Sequence, residues 1–267
     1  MTSGRMVRPQ RLIFGEVAEL YDRYRPTYPV ALVDELLAQA DAVEGQRLLE
    51  VGAGTGKATE LFAARGAAVL AVEPSAEMAA VARRRCAPYP GVQIVESEFE
   101  RMELGGEAFP LLYSAQAWHW IDPAVRCQRA RAALAPRGLL AVFWNRPAWG
   151  RSEVREALAN AYRRFAPDMR ADAALHPENR SPQGDDDWVA EIARAPGFND
   201  PMVRFYHWSQ VYGPADYAGL ISTLSDVQML EPPARTRLLQ AIEAAVVEHG
   251  GTLTMPLVTR LHTARAV

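Results

Sequence analysis

The sequence predicts an α/β fold in which a parallel sheet is covered by helices on both faces. Three observations predict it. From Leu48 onward, short apolar runs of strand length alternate with stretches of helical period. The first run ends in Glu50-Val51-Gly52-Ala53-Gly54-Thr55-Gly56, an acidic residue followed by three alternating glycines. The second run closes on another acidic residue, Glu73.

The elements follow in order. Residues 14–25 carry apolar side chains at helical spacing, Pro26 and Pro29 break the pattern, and 31–40 resume it. A helical arm over 12–43 therefore precedes the sheet. After the strand from Leu48 come a helix over 58–65, a strand over 68–73, a helix over 76–86, and strands over 92–96 and 110–115. A helix over 124–134 and a strand over 139–144 are separated by Pro136-Arg137-Gly138, where proline stops the helix and glycine permits the turn. Residues 146–200 change character: a short helix over 153–165 gives way to a polar stretch holding Asp185-Asp186-Asp187, and the segment reads as a lid or insertion. Strand composition returns over 202–211, helical patterns occupy 215–225 and 233–249, and a final strand is expected over 257–264. All of this reads as one domain over 1–267.

The glycine turn is a ligand-binding turn, because glycine lets backbone N–H groups approach a bound molecule without a Cβ in the way. Spacing tests two familiar versions. A dinucleotide fingerprint needs glycine at the sixth position from Gly52, which is Lys57. A phosphate-cradling P-loop needs glycine five residues before Gly56 and Ser or Thr after the lysine, where this chain has Val51 and Ala58. Neither fits. A carboxylate at Glu73, closing the neighbouring strand, is placed to accept hydrogen bonds from both hydroxyls of a ribose.

On these residues the chain resembles the class I S-adenosylmethionine (SAM)-dependent methyltransferases. Leu49 to Gly56 resembles their first motif, and Glu73 matches their ribose-binding acid. The Tyr21-Asp22-Arg23-Tyr24-Arg25-Pro26-Thr27-Tyr28-Pro29 stretch is similar to the opening of the trans-aconitate methyltransferase-like, small-molecule branch. The resemblance covers residues 14–147 well and the rest poorly. It implies a Rossmann-like sheet of seven strands in the order 3-2-1-4-5-7-6, the last two an antiparallel hairpin.

The resemblance also implies site residues. Glu50, Gly52, Ala53, Gly54, Thr55 and Gly56 would line the methionine and ribose portions of SAM, and Glu73 would hold the ribose. Pro74 and Met78 would lie near the adenine, with Glu98 and the backbone of Phe99 reading its edge. Ser114-Ala115-Gln116-Ala117-Trp118-His119-Trp120 looks like the family's signature beside the methyl group, with Ala115 and Gln116 on the cofactor. His119 is the general-base candidate, since imidazole takes up a proton near neutrality; its alternative is a hydrogen-bonded structural histidine. In an extended segment Trp118 and Trp120 face opposite ways, so one is core and the other borders the acceptor or the sulfonium. Tyr21, Tyr24 and Tyr28 either face the sulfonium or staple the arm to the core, and Arg25 would pair with the SAM carboxylate. Tyr28, His119, Trp120 and Trp149 are the acceptor-side candidates. His207, Trp208 and Tyr212, like Trp149, read as packing residues that also have the chemistry of a pocket wall; His249 reads as a helix-end residue and His262 as structural.

Composition bounds the partners. A net charge of −3 with no basic tract offers no footprint for nucleic acid or an anionic membrane. No apolar run nears the roughly 20 residues of a membrane span, so a cytoplasmic protein is expected. Two cysteines, Cys86 and Cys127, form no metal or disulfide pattern, and no metal is expected. The expected reaction is methyl transfer from SAM to a small organic acceptor, oxygen slightly favoured over nitrogen or carbon, with S-adenosylhomocysteine (SAH) as product, by a monomer or homodimer. Two alternatives stand beside it: a SAM-binding sensor or assembly protein without turnover, and an NAD-dependent oxidoreductase.

Overall fold

The computed structural model describes residues 18–41, 46–106, 108–150, 152–169, 175 and 186–267. Seven strands form one sheet in the order β3-β2-β1-β4-β5-β7-β6, which is the expected order. The strands are β1 (Arg47–Val51), β2 (Ala68–Glu73), β3 (Val92–Glu96), β4 (Phe109–Ala115), β5 (Leu134–Pro147), β6 (Phe198–Tyr212) and β7 (Leu253–Ala266). The pairs among β1 to β5 are parallel, and β7 runs antiparallel to both β5 and β6.

Strand alternation builds two cores at once. Leu48, Val69, Ala71, Leu111 and Phe143 pack on one face, beneath α2 (Val30–Gln39) and Phe62 of α3 (Lys57–Ala63). Their neighbours Leu49, Leu70, Val72, Leu112 and Val142 pack on the other, against Ala130 and Ala133 of α5 (Arg126–Ala133). Side chains at successive positions point to opposite faces, so strands apolar at every position are those of a sheet covered on both sides. The arm contributes α1 (Ala18–Tyr24); residues 14–17 of the expected first helix lie outside the described residues. Helix α4 (Ala76–Cys86) starts at Ser75, whose hydroxyl accepts from Met78 N at 3.3 Å as an N-cap.

Three details differ from expectation. The Pro136-Arg137-Gly138 turn is an irregularity within β5: Phe109 pairs with Leu134, but Leu111 pairs with Leu139. Arg137, not Gly138, takes the positive φ of 63°. Gly138 is required for another reason, since a Cβ there would lie 2.9 Å from the carbonyl oxygens of both Ala135 and Phe109.

The last two strands are not joined by a tight turn, because α8 (Pro214–Ser222), α9 (Ser225–Gln228) and α10 (Pro232–Glu248) lie between them. Their apolar faces share a third cluster with Leu158 and Tyr162 of α6 (Glu153–Phe165), Trp149, and Met255 and Leu257 of β7. Helix α6 after β5 thus joins the helices before β7 in one helical lobe. The polar part of the insertion lies mostly outside the described residues, and α7 (Asp186–Arg194) returns the chain to the sheet.

Candidate functional site

The chain crosses from β3 on one side of β1 to β4 on the other, which opens a crevice at the carboxyl ends of these strands. A cleft of small-molecule scale lies there, walled by the ends of β1 to β5 and roofed by the arm. Most of the expected cofactor residues line it: Glu50, Gly52, Ala53, Gly54 and Thr55 from the first turn, and Glu73, Pro74 and Met78 from the second. Phe99, Ala115, Gln116, His119 and Trp120 come from the third and fourth strand ends, and Tyr21, Arg25 and Tyr28 from the arm.

The glycine turn is tied to its neighbour strand. Gly52 N and Ala53 N both donate to Val72 O, at 2.8 and 3.1 Å. Gly54 N donates to Glu73 Oε2 at 2.8 Å, and Ser75 N donates to Glu73 Oε1 at 2.9 Å. These two backbone donors fix the direction of the carboxylate at the cleft wall. Gly54, at φ +57°, has no heavy atom within 4 Å of where a Cβ would stand, so its missing side chain leaves open space in the cleft.

Glu50 is fully buried. Its Oε2 accepts from Thr59 Oγ1 at 2.5 Å and from Tyr113 OH at 3.0 Å, while Oε1 is buried with no hydrogen-bond partner. Burial outweighs those two hydrogen bonds and pushes its pKa up to about 8, with Glu73 adding repulsion. A buried acid with one unmatched oxygen at a cleft wall fits a cationic ligand group.

Four predicted residues stand elsewhere or do other work. Gly56 is behind the wall: at φ +80° it caps α3, and a Cβ would press on Ala82 at 3.2 Å and Cys86 Sγ at 3.3 Å. Glu98 is not among the residues that line the cleft and pairs with Arg101 at 3.1 Å; Ser97 and Glu100 line the wall. Glu100 Oε1 accepts from Asp122 N at 3.0 Å, and its Oε2 is buried without a hydrogen-bond partner. Trp149 belongs to the helical lobe, edge-on to Tyr217 at 6.1 Å, and does not reach the cleft. Arg25 does line it, yet its Nε and one terminal nitrogen donate to Thr223 Oγ1 at 2.8 Å and Thr223 O at 3.0 Å, which pins the arm to the lobe.

The arm is held at further points. Asn145 Nδ2 donates to Thr27 O at 2.7 Å, and Arg85 bridges Asp22 at 2.7 Å and Glu60. Tyr24 is a staple, with Gly219 so close that a Cβ there would meet its ring at 2.6 Å. Tyr28 is buried edge-on to Phe143 at 5.1 Å while still bordering the cleft.

Residues 118–120 form a 3-10 turn, not an extended segment. Trp118 is nevertheless core and Trp120 lines the cleft, as expected for other reasons. The turn begins after Gln116, a non-glycine residue at φ +60° whose N donates to Phe143 O at 2.9 Å. His119 Nδ1 accepts from Trp144 Nε1 at 3.2 Å. Burial, then Arg146 and Arg126, lower its pKa to about 4. Sequence reading missed Lys57, Glu100 and Arg146, which also line the cleft. Arg146 carried a positional signal, a charge directly after the Val142-Phe143-Trp144-Asn145 strand end.

The other aromatic and histidine candidates pack elsewhere. Trp208 Nε1 donates to Thr259 Oγ1 at 2.9 Å, Tyr212 OH donates to Tyr24 O at 3.1 Å, and His249 Nδ1 meets Ala245 O at 2.7 Å at the end of α10. His262 is buried with its ring 5.8 Å from that of Trp144. Among the described residues, no helix is long and apolar enough to cross a membrane.

Residues 49–142 match the family described as methyltransferase domain. An uncharacterized methyltransferase of Mycobacterium tuberculosis is 38% identical over 138 residues, covering 52% of this chain and 54% of its own. Trans-aconitate 2-methyltransferase of Paracidovorax citrulli is 33% identical over 146 residues, covering 52% of this chain and 53% of its own. The chain spans about half the length of the curated relatives it matches. The solved structure of Haemonchus contortus phosphoethanolamine N-methyltransferase 2 in complex with SAM superposes with a TM-score of 0.52 at 17% identity, over 98% of this chain and 58% of that one, a likeness of fold.

Proposed function

We propose that this chain, whose residues 49–142 carry a methyltransferase domain of class I fold, is a SAM-dependent methyltransferase that acts on oxygen of a small organic acceptor. The observation that carries the reading is the pair of carboxylates that line one cleft with Gly54, Glu50 buried with an unmatched oxygen and Glu73 with both oxygens anchored. It suits a ligand with a ribose at one end and a cationic amino acid at the other. Glu73 would hold the ribose hydroxyls, Phe99 and Met78 the adenine, and Glu50 the ammonium end. SAM supplies a methyl on a sulfonium: as the acceptor lone pair forms its bond to carbon, the carbon–sulfur pair goes to sulfur and SAH leaves.

What the chain's own residues contribute is position and exclusion of water. The arm lies over the cleft through Tyr21, Arg25 and Tyr28 and is fastened at Thr223, Asn145 and Arg85, so it would close the site above the cofactor. Arg146, at the end of β5, is the cation on the acceptor side and favours an acceptor bearing an anionic oxygen; the trans-aconitate substrate named for one relative is of that class.

Calorimetry with SAM, SAH and NAD on ligand-free protein tests the cofactor. Micromolar binding of SAM and SAH without NAD supports the reading, and an assay of methyl transfer to small carboxylic acids then separates an enzyme from a silent binder. Absence of SAM binding, or preference for NAD, overturns it.

Glu50 gives this titration a second readout. With a pKa near 8 it is largely protonated at pH 7, and a bound cation favours its carboxylate. SAM binding at pH 7 is therefore expected to release a proton, seen as a binding enthalpy that varies with the ionisation enthalpy of the buffer. Affinity should rise with pH and level off above about 8. Stability of the free protein should follow the opposite course for this group, falling from the ordinary carboxylate range up to about 8, because the folded state then holds a proton that the unfolded state has lost. Both trends should vanish in Glu50→Gln.

A further inference from the structure

The general-base expectation for His119 meets a specific obstacle. Its Nδ1 accepts a hydrogen bond from Trp144 Nε1 at 3.2 Å, and an indole nitrogen only donates. A neutral imidazole that accepts at Nδ1 carries its proton at Nε2. The ring then has no lone pair left to take a proton from an acceptor.

We infer that Trp144 is a positioning residue that fixes His119 as an N–H donor, so that His119 orients the acceptor by a hydrogen bond from Nε2 and does not deprotonate it. The inference deepens the methyltransferase reading and rests on it for the identity of the acceptor.

The surroundings hold this arrangement from every side. Trp144 is buried at the end of β5, its ring stacked on Trp188 of α7 at 5.2 Å and edge-on to His262 of β7 at 5.8 Å. Trp120 lies against the imidazole at 4.7 Å. Arg126 of α5 is sandwiched near the Trp118 and Trp188 rings, at 5.8 and 4.7 Å. It donates to Trp118 O and Ile121 O, both at 3.2 Å, and forms a two-point ion pair with Glu191 of α7. The turn carrying His119 is thereby clamped to α7. The charged groups that act on the imidazole, Arg146 and Arg126, are both cations and disfavour a second proton on it. Arg146 and the Nε2–H form together a donor set suited to an oxygen that is already ionised, a carboxylate, which needs no base to attack a methyl sulfonium.

The tautomer can be read without any acceptor. Long-range nitrogen–proton NMR of the full chain, with His119 assigned among the five histidines by its loss in His119→Asn, should show Nδ1 unprotonated and Nε2 protonated from pH 8 down to about 5. Trp144→Phe keeps a ring in the stack and removes the N–H. It is expected to mix the tautomers, raise the pH at which His119 titrates, and lower kcat about tenfold, the loss of one oriented hydrogen bond, with SAM affinity unchanged. An Nδ1–H tautomer in the wild-type protein overturns the inference, as does a Trp144→Phe protein with the wild-type tautomer and pH profile. Failure of SAM binding with the Nε2–H tautomer intact would instead reject the functional reading and leave the hydrogen bond standing.

Discussion

Glu73→Ala is expected to weaken SAM binding by about 3 kcal/mol, on the order of 100-fold in Kd, while the protein stays folded. Two effects add. The carboxylate would accept from both ribose hydroxyls, and hydrogen bonds to a charged acceptor are the strong ones. It also organises the site, since Gly54 N and Ser75 N both donate to it and Ser75 caps α4. Comparing adenosine with 2′,3′-dideoxyadenosine separates the two. If Glu73 reads the hydroxyls, the wild-type protein prefers adenosine strongly and the variant prefers it little, whatever the variant has lost through a looser turn. A preference equal in both proteins would remove Glu73 from the ribose site and leave it as a turn anchor. Glu73→Gln should fall between, because the amide keeps one accepting oxygen for the two backbone donors.

Strand positions were legible because this sheet is covered on both faces, so each strand is a short apolar run bounded by glycine, proline or charge. The order of strands was legible only through resemblance. Nothing local in 202–211 or 257–264 says which strand lies next to β5, since that depends on pairing between residues far apart, such as Val142 with His262. The helical lobe was missed for a related reason. Residues 153–165 and 233–249 each show an amphipathic helix, but only their packing reveals that Leu158 and Ile242 bury each other's surroundings in one cluster. Trp149, which the sequence leaves open between packing and an acceptor pocket, is packed in that cluster.

The site divides the same way. Residues whose role depends on backbone, such as Gly52 and Gly54, follow from the glycine pattern, because few sequences tolerate that turn; the Val72 carbonyl that receives two of the turn's N–H bonds carries no such signal. Residues whose role depends on the direction of one side chain do not. Glu98 and Glu100 are two positions apart after β3, and the turn that starts there sends the second, not the first, to the cleft. His119 was legible as a candidate, but its hydrogen-bond donor Trp144 sits on β5, 25 residues further along the chain.

Two of the three glycines of the first turn, Gly52 and Gly54, should respond to the same substitution in opposite ways. In Gly52→Ala the new Cβ would lie 2.3 Å from Ala117 Cβ, closer than two carbons can stand, and the residue must also hold φ +75°. Overpacking and left-handed strain together are expected to cost about 3 kcal/mol or more of stability, visible in denaturant unfolding. Because Ala117 leads directly into the turn of Trp118 and His119, any relaxation moves that turn, and transfer should fail even in protein that folds. Gly54→Ala meets no heavy atom within 4 Å, so it should lose only about 1 kcal/mol for its φ of +57°. Its methyl group instead enters the cleft, and SAM affinity is expected to fall far more than stability. The steric account has a direct rescue. Adding Ala117→Gly to Gly52→Ala removes the clashing Cβ, and the next atom, Ala117 Cα, stands at an ordinary 3.7 Å. The double variant should recover most of the lost stability and retain only the left-handed cost; no recovery would show that Gly52 is required for its backbone conformation alone.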